Sequence, residues 1–271
     1  MATNRDRSAR GEAVTPEMQA EAAVRDGFVT YDELRGPDLD AARWDPARLQ
    51  LPDGSGHIPL DPNAELAVGE GEVRVTIPHF SLSHHVFQSA DSPKYLIFST
   101  RQFELPPAGG ATFAVDLAAK NVGGEPEDYR RGMAAFHVFD FEVSKRVFAV
   151  CGTSTRVLAL HEQLGLGGGG TGEPFYYVVE SPYEDFDDNF TRHRVCEITL
   201  NWSESTAAWR VDGRKVYEAQ GTLIPERVRI GFGIWTMLPI RDGRSRSLHG
   251  QGIDARWRRF RVRVRQREER L

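Results

Sequence analysis

Two cysteines in 271 residues leave no room for a disulfide framework, so an apolar core must hold the fold. Cys151 and Cys196 each sit in a strand-like run and are read as buried free thiols of a reducing compartment. A bridge between them would require Cα atoms within about 7 Å. No stretch approaches the roughly 18 to 20 apolar residues of a membrane span. The first 27 residues, MATNRDRSARGEAVTPEMQAEAAVRDG, are charged and have no apolar signal core, so a cytoplasmic address is expected. A phosphate-cradling glycine loop ahead of a helix is missing, as is a Gly-x-Ser-x-Gly elbow, so nucleotide binding and serine-hydrolase chemistry have no support. Net charge is −5, and neither nucleic acid nor membrane is expected as a partner. Long apolar runs with a 3.6-residue period are also lacking.

What remains is a pattern of short alternating runs. Val195 to Leu238 reads as four strands joined by tight turns, with Asp212-Gly213 between two of them. Asp-Gly flanked by alternating apolar residues is a strong hairpin signal, because a primed turn needs positive φ at its central residues. Similar runs occur at Glu72–Pro78, Lys94–Phe103, Ala111–Lys120, Ala134–Glu142, Val147–Cys151, Arg156–Gln163, Phe175–Glu180 and Arg256–Arg265. Many short strands bounded by Gly, Pro, Asn and Asp predict an all-β protein, a two-sheet antiparallel β-sandwich. Residues 1–26 are expected to be a mobile polar tail and residues 27–271 a single sandwich domain. The arginine-rich last run alternates Phe260, Val262 and Val264 with Arg259, Arg261, Arg263 and Arg265. One buried and one solvated strand face explains it without nucleic acid.

Two segments carry a family resemblance. Tyr31-Asp32-Glu33-Leu34 with Leu39-Asp40-Ala41-Ala42-Arg43-Trp44 resembles the entry of concanavalin A-like jelly rolls. Arg192 to Tyr217, with Trp202, Trp209 and Val211-Asp212-Gly213, resembles the late strands of laminarinase-type glycosidases and related lectins. The resemblance implies a jelly roll with a concave cleft on one sheet. Its catalytic signature, Glu-x-Asp-x-x-Glu along one strand, is missing. The nearest match is Asp140-Phe141-Glu142, where Lys145 replaces the second Glu. Read as strand neighbours, Asp140 and Glu142 share a face about 7 Å apart, beyond the 5 to 5.5 Å of a retaining pair. A vaguer resemblance, through Phe148–Leu164, the glycine-rich loop and Pro174–Tyr177, is to uncharacterised actinobacterial jelly-roll proteins. Some bacterial barrels and jelly rolls of that kind are cofactor-free cyclases of polyketide assembly, Diels–Alderase-like enzymes included.

Candidate chemistry is sparse. Glu162 and His161 end an apolar strand just before Gly165–Gly170, where a cleft group would sit beside a flexible loop. The plain alternative is a rim pair making ordinary hydrogen bonds. His137 and Asp140 interrupt the apolar run AAFHVFDF, so each must be paired or face a cavity. His137, Glu162 and His161 are the catalytic candidates. Tyr176 and Tyr177 alternate, one inward and one toward the cleft. Trp235 and Met237 share a face with Gly231 and Gly233, and glycines in a strand permit close approach of a ligand or backbone; plain core packing is the alternative. His84, in PHFSLSHHVF, is a possible cleft-lining group. Its cluster with His79 and His85 lacks the spacing of a metal site, and Asp185, Asp187 and Asp188 do not match a calcium loop. No metal and no cofactor is expected. The substrate-binding candidates are therefore Trp235, Met237, Tyr176, Tyr177, Asp140 and His84.

Three readings follow. One is a cofactor-independent cyclase or isomerase shaping a bulky, largely apolar small molecule such as a polyketide. Another is a carbohydrate-binding or carbohydrate-active jelly roll, stacking aromatic rings on sugars. The third is a non-catalytic interaction protein. The first is preferred because a cytoplasmic address removes most polysaccharides. A cleft lined by aliphatic residues would count against the second.

Overall fold

The computed structural model describes residues 27–51, 53–125, 127–165, 173–182 and 191–266. The N-terminal 26 residues, most of the glycine-rich loop and the acidic loop at 183–190 lie outside the described residues. Two antiparallel sheets face each other. The first, the core sheet, runs β16 (Arg214–Gln220), β15 (Thr206–Val211), β14 (Arg194–Asn201), β9 (Gly109–Val122), β18 (Gly252–Gln266), β6 (Glu72–Ile77), β5 (Glu65–Gly69), with β1 (Val29–Asp32) also on β18. The second, the cleft sheet, runs β13 (Phe175–Glu180), β12 (Val157–Gln163), β11 (Arg146–Gly152), β10 (Met133–Phe139), β17 (Arg227–Trp235), β7 (Pro93–Ser99), β2 (Trp44–Pro46), with β8 (Phe103–Glu104) also on β17. A short ribbon of β3 (Leu49–Gln50) and β4 (Gly56–His57) and a one-turn helix α1 (Gln88–Asp91) complete the described elements used below. The two-sheet sandwich expected from alternation is the observed fold.

The hairpin at Asp212-Gly213 forms as its residues require. Asp212 and Gly213 have φ of 48° and 78° and join β15 to β16, the two positive values of a primed turn. Between the sheets lies the main core, built from Phe113, Leu117, Ile198, Trp209, Trp257 and Phe260 on one side and Phe136, Phe148, Ile230 and Phe232 on the other. Fully burying side chains of this size contributes about 1.5–3 kcal/mol each. Cys196 points into this core and Cys151 into the opposite face of the cleft sheet; both are free.

The alternation expected from Phe260 onward holds for the buried Phe260 and Val262, whereas Val264 is exposed, and it does not continue back to Trp257. Trp257 and Phe260 are both fully buried although three residues apart, because a bulge between Arg258 and Arg261 inserts an extra residue. The bulge turns Arg258 and Arg261, together with Arg259, onto the buried carboxylate of Asp116, with Arg258 Nε at 3.2 Å and Arg261 Nη2 at 3.4 Å. Part of the arginine face thus pairs with a carboxylate while Arg258 and Arg259 stay in contact with solvent.

Asp140 needs a fuller correction, because it does not stand in a strand. β10 ends at Phe139, and the Asp140 carboxylate accepts from the amides of Glu142 (2.9 Å), Val143 (3.1 Å) and Ser144 (2.6 Å) and from the Ser144 hydroxyl (2.6 Å). Burial pushes its pKa up, but the Ser144 hydroxyl and these amides outweigh burial and hold it below the usual carboxylate range. Its job is to fold the β10–β11 connection.

The jelly-roll entry segment is likewise structural. Trp44 is buried and donates its indole N–H to Asp32 Oδ2 at 2.7 Å, while the Tyr31 hydroxyl donates to the Arg43 carbonyl at 2.5 Å.

Candidate active site

The central strands of the cleft sheet are buried on both faces. β7, β10 and all but the first residue of β11 are buried along their length. One face meets the core sheet. The other carries a second apolar cluster, with Leu96, Phe98, Met133, Phe139, Val147, Leu158 and Leu160 buried and Tyr129, Phe141, Leu164, Trp235 and Met237 packed against it. This outer face forms a cleft of about 260 Å³.

Strand register sets the cleft floor. One row across the strands reads Phe139, Val147, Glu162, Tyr176; the next reads His137, Ala149, Leu160, Val178. On the other side His137 pairs with Gly231, which pairs with Phe98. A Cβ on Gly231 would collide with the Phe98 ring and lie 2.6 Å from the Ile97 carbonyl oxygen; on Gly233 it would lie 2.5 Å from the Tyr95 carbonyl oxygen and 2.9 Å from Leu96 Cδ1. The glycines therefore let Leu96 and Phe98 lie across β17 as floor. The rim is clipped in place by Gln88 of α1. Its side-chain amide donates to the Leu238 carbonyl at 3.1 Å and accepts from the Ile240 amide at 2.6 Å.

His137, Glu162, Tyr176, Trp235 and Met237 all line this cleft. Glu162 is partly buried, and desolvation raises its pKa to about 7. His137 is buried, and desolvation lowers its pKa to about 3, so its ring is neutral. Trp235 Nε1 donates to His137 Nε2 at 2.8 Å. A recess of about 10 Å³ in the floor is shared by His137 and Glu162.

Four sequence candidates lie elsewhere. His161 and Glu162 are adjacent, so alternation sends them to opposite faces. His161 points between the sheets, stacked on Phe148 at 5.1 Å with Trp209 at 5.6 Å, and its Nε2 lies 3.2 Å from Thr222 Oγ1 and 3.4 Å from Arg146 Nη1. Burial and the Arg146 charge lower its pKa to about 4. Tyr177 shares that face, 6.4 Å from the His161 ring. Asp140 is consumed by its turn. His84 lies in the loop before α1, where its amide donates to Asp91 Oδ1 at 2.9 Å and its ring stands 5.7 Å from His57. Among the described residues no group of three or more His, Cys, Asp or Glu is placed to hold a metal.

Sequence reasoning missed the floor residues Leu96, Phe98, Phe139, Val147 and Leu160. The signal was present. PKYLIFS, MAAFHVF and RVFAVCG are apolar at nearly every position, not at alternate ones. In an antiparallel sandwich a doubly apolar strand needs something to cover both faces.

This fold is shared with solved structures of glucan-degrading enzymes. The chain is similar to an endo-1,3-β-glucanase from Streptomyces sioyaensis (12% identity, 88% of this chain and 98% of that one, TM-score 0.55). It is also similar to a β-1,3-1,4-glucanase (lichenase) derived from a mouse hindgut metagenome (15%, 88% and 97%, 0.51). A third similar structure is LamAcat from Zobellia galactanivorans (11%, 86% and 95%, 0.53). At these identities the likeness shows the concanavalin A-like jelly-roll architecture and not an activity. Curated proteins offer no match. The chain belongs to the family of unknown function DUF6081, whose pattern spans residues 25–266.

Proposed function

We propose that the cleft binds a bulky, largely apolar small molecule and that Glu162 is its proton-transfer group, the chemistry of a cofactor-free isomerase or cyclase. The observation that carries this reading is one carboxyl with a pKa near 7 on a floor of Leu, Phe, Val and Trp. A carboxyl half-protonated at neutral pH donates and accepts a proton in the same range. As carboxylate, Glu162 removes a proton from the carbon next to a carbonyl, the C–H electron pair moves into the enolate, and the acid formed returns the proton. The apolar walls supply burial, and holding two reacting ends together lowers a barrier by several kcal/mol.

A second reading, a carbohydrate-active protein, draws on the enzymes that share the fold and on the exposed ring of Tyr176, 66% accessible. The lining of the cleft opposes it. Glu162 is the only Asp or Glu among the described lining residues, where glycoside hydrolysis uses two carboxyls. The test pairs two probes on the full chain, tetralin and laminaritriose, with deuterium uptake at the α-carbon of 1-tetralone. The expected result is tetralin binding without laminaritriose binding, and uptake above buffer that Glu162→Gln abolishes. Laminaritriose binding alone, or equal uptake by wild type and Glu162→Gln, would overturn it.

A further inference from the structure

Among the described residues, His137 is hydrogen-bonded on one side only. An indole N–H can donate but not accept, so the bond from Trp235 Nε1 to Nε2 at 2.8 Å leaves the lone pair on Nε2 and the proton on Nδ1. Nδ1 is buried and has no hydrogen-bond partner among the described residues. The residue is 3% exposed, and burial keeps the ring uncharged across the physiological range. A buried donor without an acceptor is costly, and such a donor in a native protein calls for an explanation. Here the surroundings supply one. His137 and Glu162 line both the cleft and the recess of about 10 Å³ beneath it, whose other walls include Met133, Val147, Cys151 and Leu160. That volume is about one water-sized atom, and apart from His137 and Glu162 these four walls are apolar side chains and a thiol.

Building on the cleft reading above, we propose that the Nδ1–H of His137 receives a single hydrogen-bond-accepting oxygen of the ligand, a ketone or the enolate formed from it, with Trp235 as the positioning residue that fixes the tautomer. The ligand class is thereby narrowed from apolar to apolar with a carbonyl seated at the floor. When Glu162 takes the α-proton, the negative charge that develops on oxygen meets a neutral N–H already oriented by Trp235. A preoriented donor in an apolar site stabilises such charge without reorganisation. A neutral imidazole donates a hydrogen bond here without delivering its proton, so the proton balance stays with Glu162.

The tautomer is read directly from ¹⁵N chemical shifts of the wild-type protein. Nδ1 should be pyrrole-like and Nε2 pyridine-like, unchanged from pH 5 to 8; a protonated Nε2 overturns the proposal. Binding is then compared for 1-tetralone and tetralin, which differ in shape by little more than the carbonyl oxygen. Wild type should prefer the ketone by about tenfold, the effect of one hydrogen bond. His137→Phe should bind both alike, and His137→Gln, which retains an N–H, should keep part of the preference. Trp235→Phe should lose preference as the tautomers mix, with the ¹⁵N shifts moving in step. Equal binding of ketone and hydrocarbon by wild type refutes the oxygen seat while leaving the apolar cleft intact. Failure of both to bind overturns the cleft reading and this proposal with it.

Discussion

Lys94 Nζ lies 3.4 Å from Asp91 Oδ1, and both side chains are wholly buried. The ammonium also donates to the Leu82 carbonyl at 2.7 Å, the Asp91 carbonyl at 2.6 Å and Ser247 Oγ at 2.8 Å. Asp91 in turn accepts from the Ser245 hydroxyl at 2.9 Å, the Ser247 hydroxyl at 3.1 Å and the His84 amide. One buried pair therefore ties α1, whose Gln88 and Ser89 line the cleft, and the start of β7 to the loops around Leu82 and Ser245. Removing one partner strands a charge in the interior. Lys94→Met is expected to cost about 3–5 kcal/mol, read by urea unfolding. Asp91→Asn with Lys94→Met should cost less than the sum of the two single changes; simple additivity would show that the pair is not coupled.

The pH dependence of stability should show two opposed contributions. Glu162 has its pKa raised from 4.5 to about 7, so the folded state holds a proton that the unfolded chain has released. Its contribution is complete below pH 4.5 and lost as pH rises through 7. Relative to wild type, Glu162→Gln should gain about 2–3 kcal/mol between pH 4.5 and 8. His137 and His161, lowered from 6.5 to about 3 and about 4, act the other way. Their contribution is complete above pH 6.5 and lost as pH falls toward 4. Urea midpoints from pH 4 to 8 measure both, and a flat difference between wild type and Glu162→Gln would place the carboxyl in water.

Asp140→Ala should destabilise the protein by about 2–4 kcal/mol, because three backbone amides and a hydroxyl lose their common acceptor. Tetralin affinity should change by less than about threefold in the variant, because Asp140 does not line the cleft. A large loss of affinity with intact stability would return Asp140 to the site.

Gly231→Ala tests the floor. The new Cβ meets the Phe98 ring and the Ile97 carbonyl, and backbone cannot yield as a side-chain tip can. A cost of about 1–3 kcal/mol is expected from overpacking. Displacement of Phe98 should also weaken tetralin binding, measured by the same titration.

Much of the fold was legible because its signals are local. Asp212-Gly213 sets its hairpin through two φ values, and Trp209 and Val211 declare their face by alternation. Of the site, Trp235, Met237 and their glycine neighbours were legible for the same reason. His161 and Glu162 were not separable until alternation was anchored to a known face, since either parity of β12 is consistent with the residues alone. Asp140 was misplaced because the end of β10 depends on a turn closed by Ser144, four residues on. The bulge at Arg258–Arg261 was not legible because the carboxylate its arginines meet, Asp116, is more than 140 residues away in the chain.

An all-β sandwich, its strands and its tight turns could be read from the residues, because period-two burial and turn chemistry act over a few positions. Tertiary structure alone decided which face of the second sheet became a cleft, that Glu162 and His137 share its floor, and that Trp235 holds one nitrogen of His137. Those facts depend on pairing β10 with β17 across almost 100 residues of chain, and on desolvation that exists only once both sheets have closed.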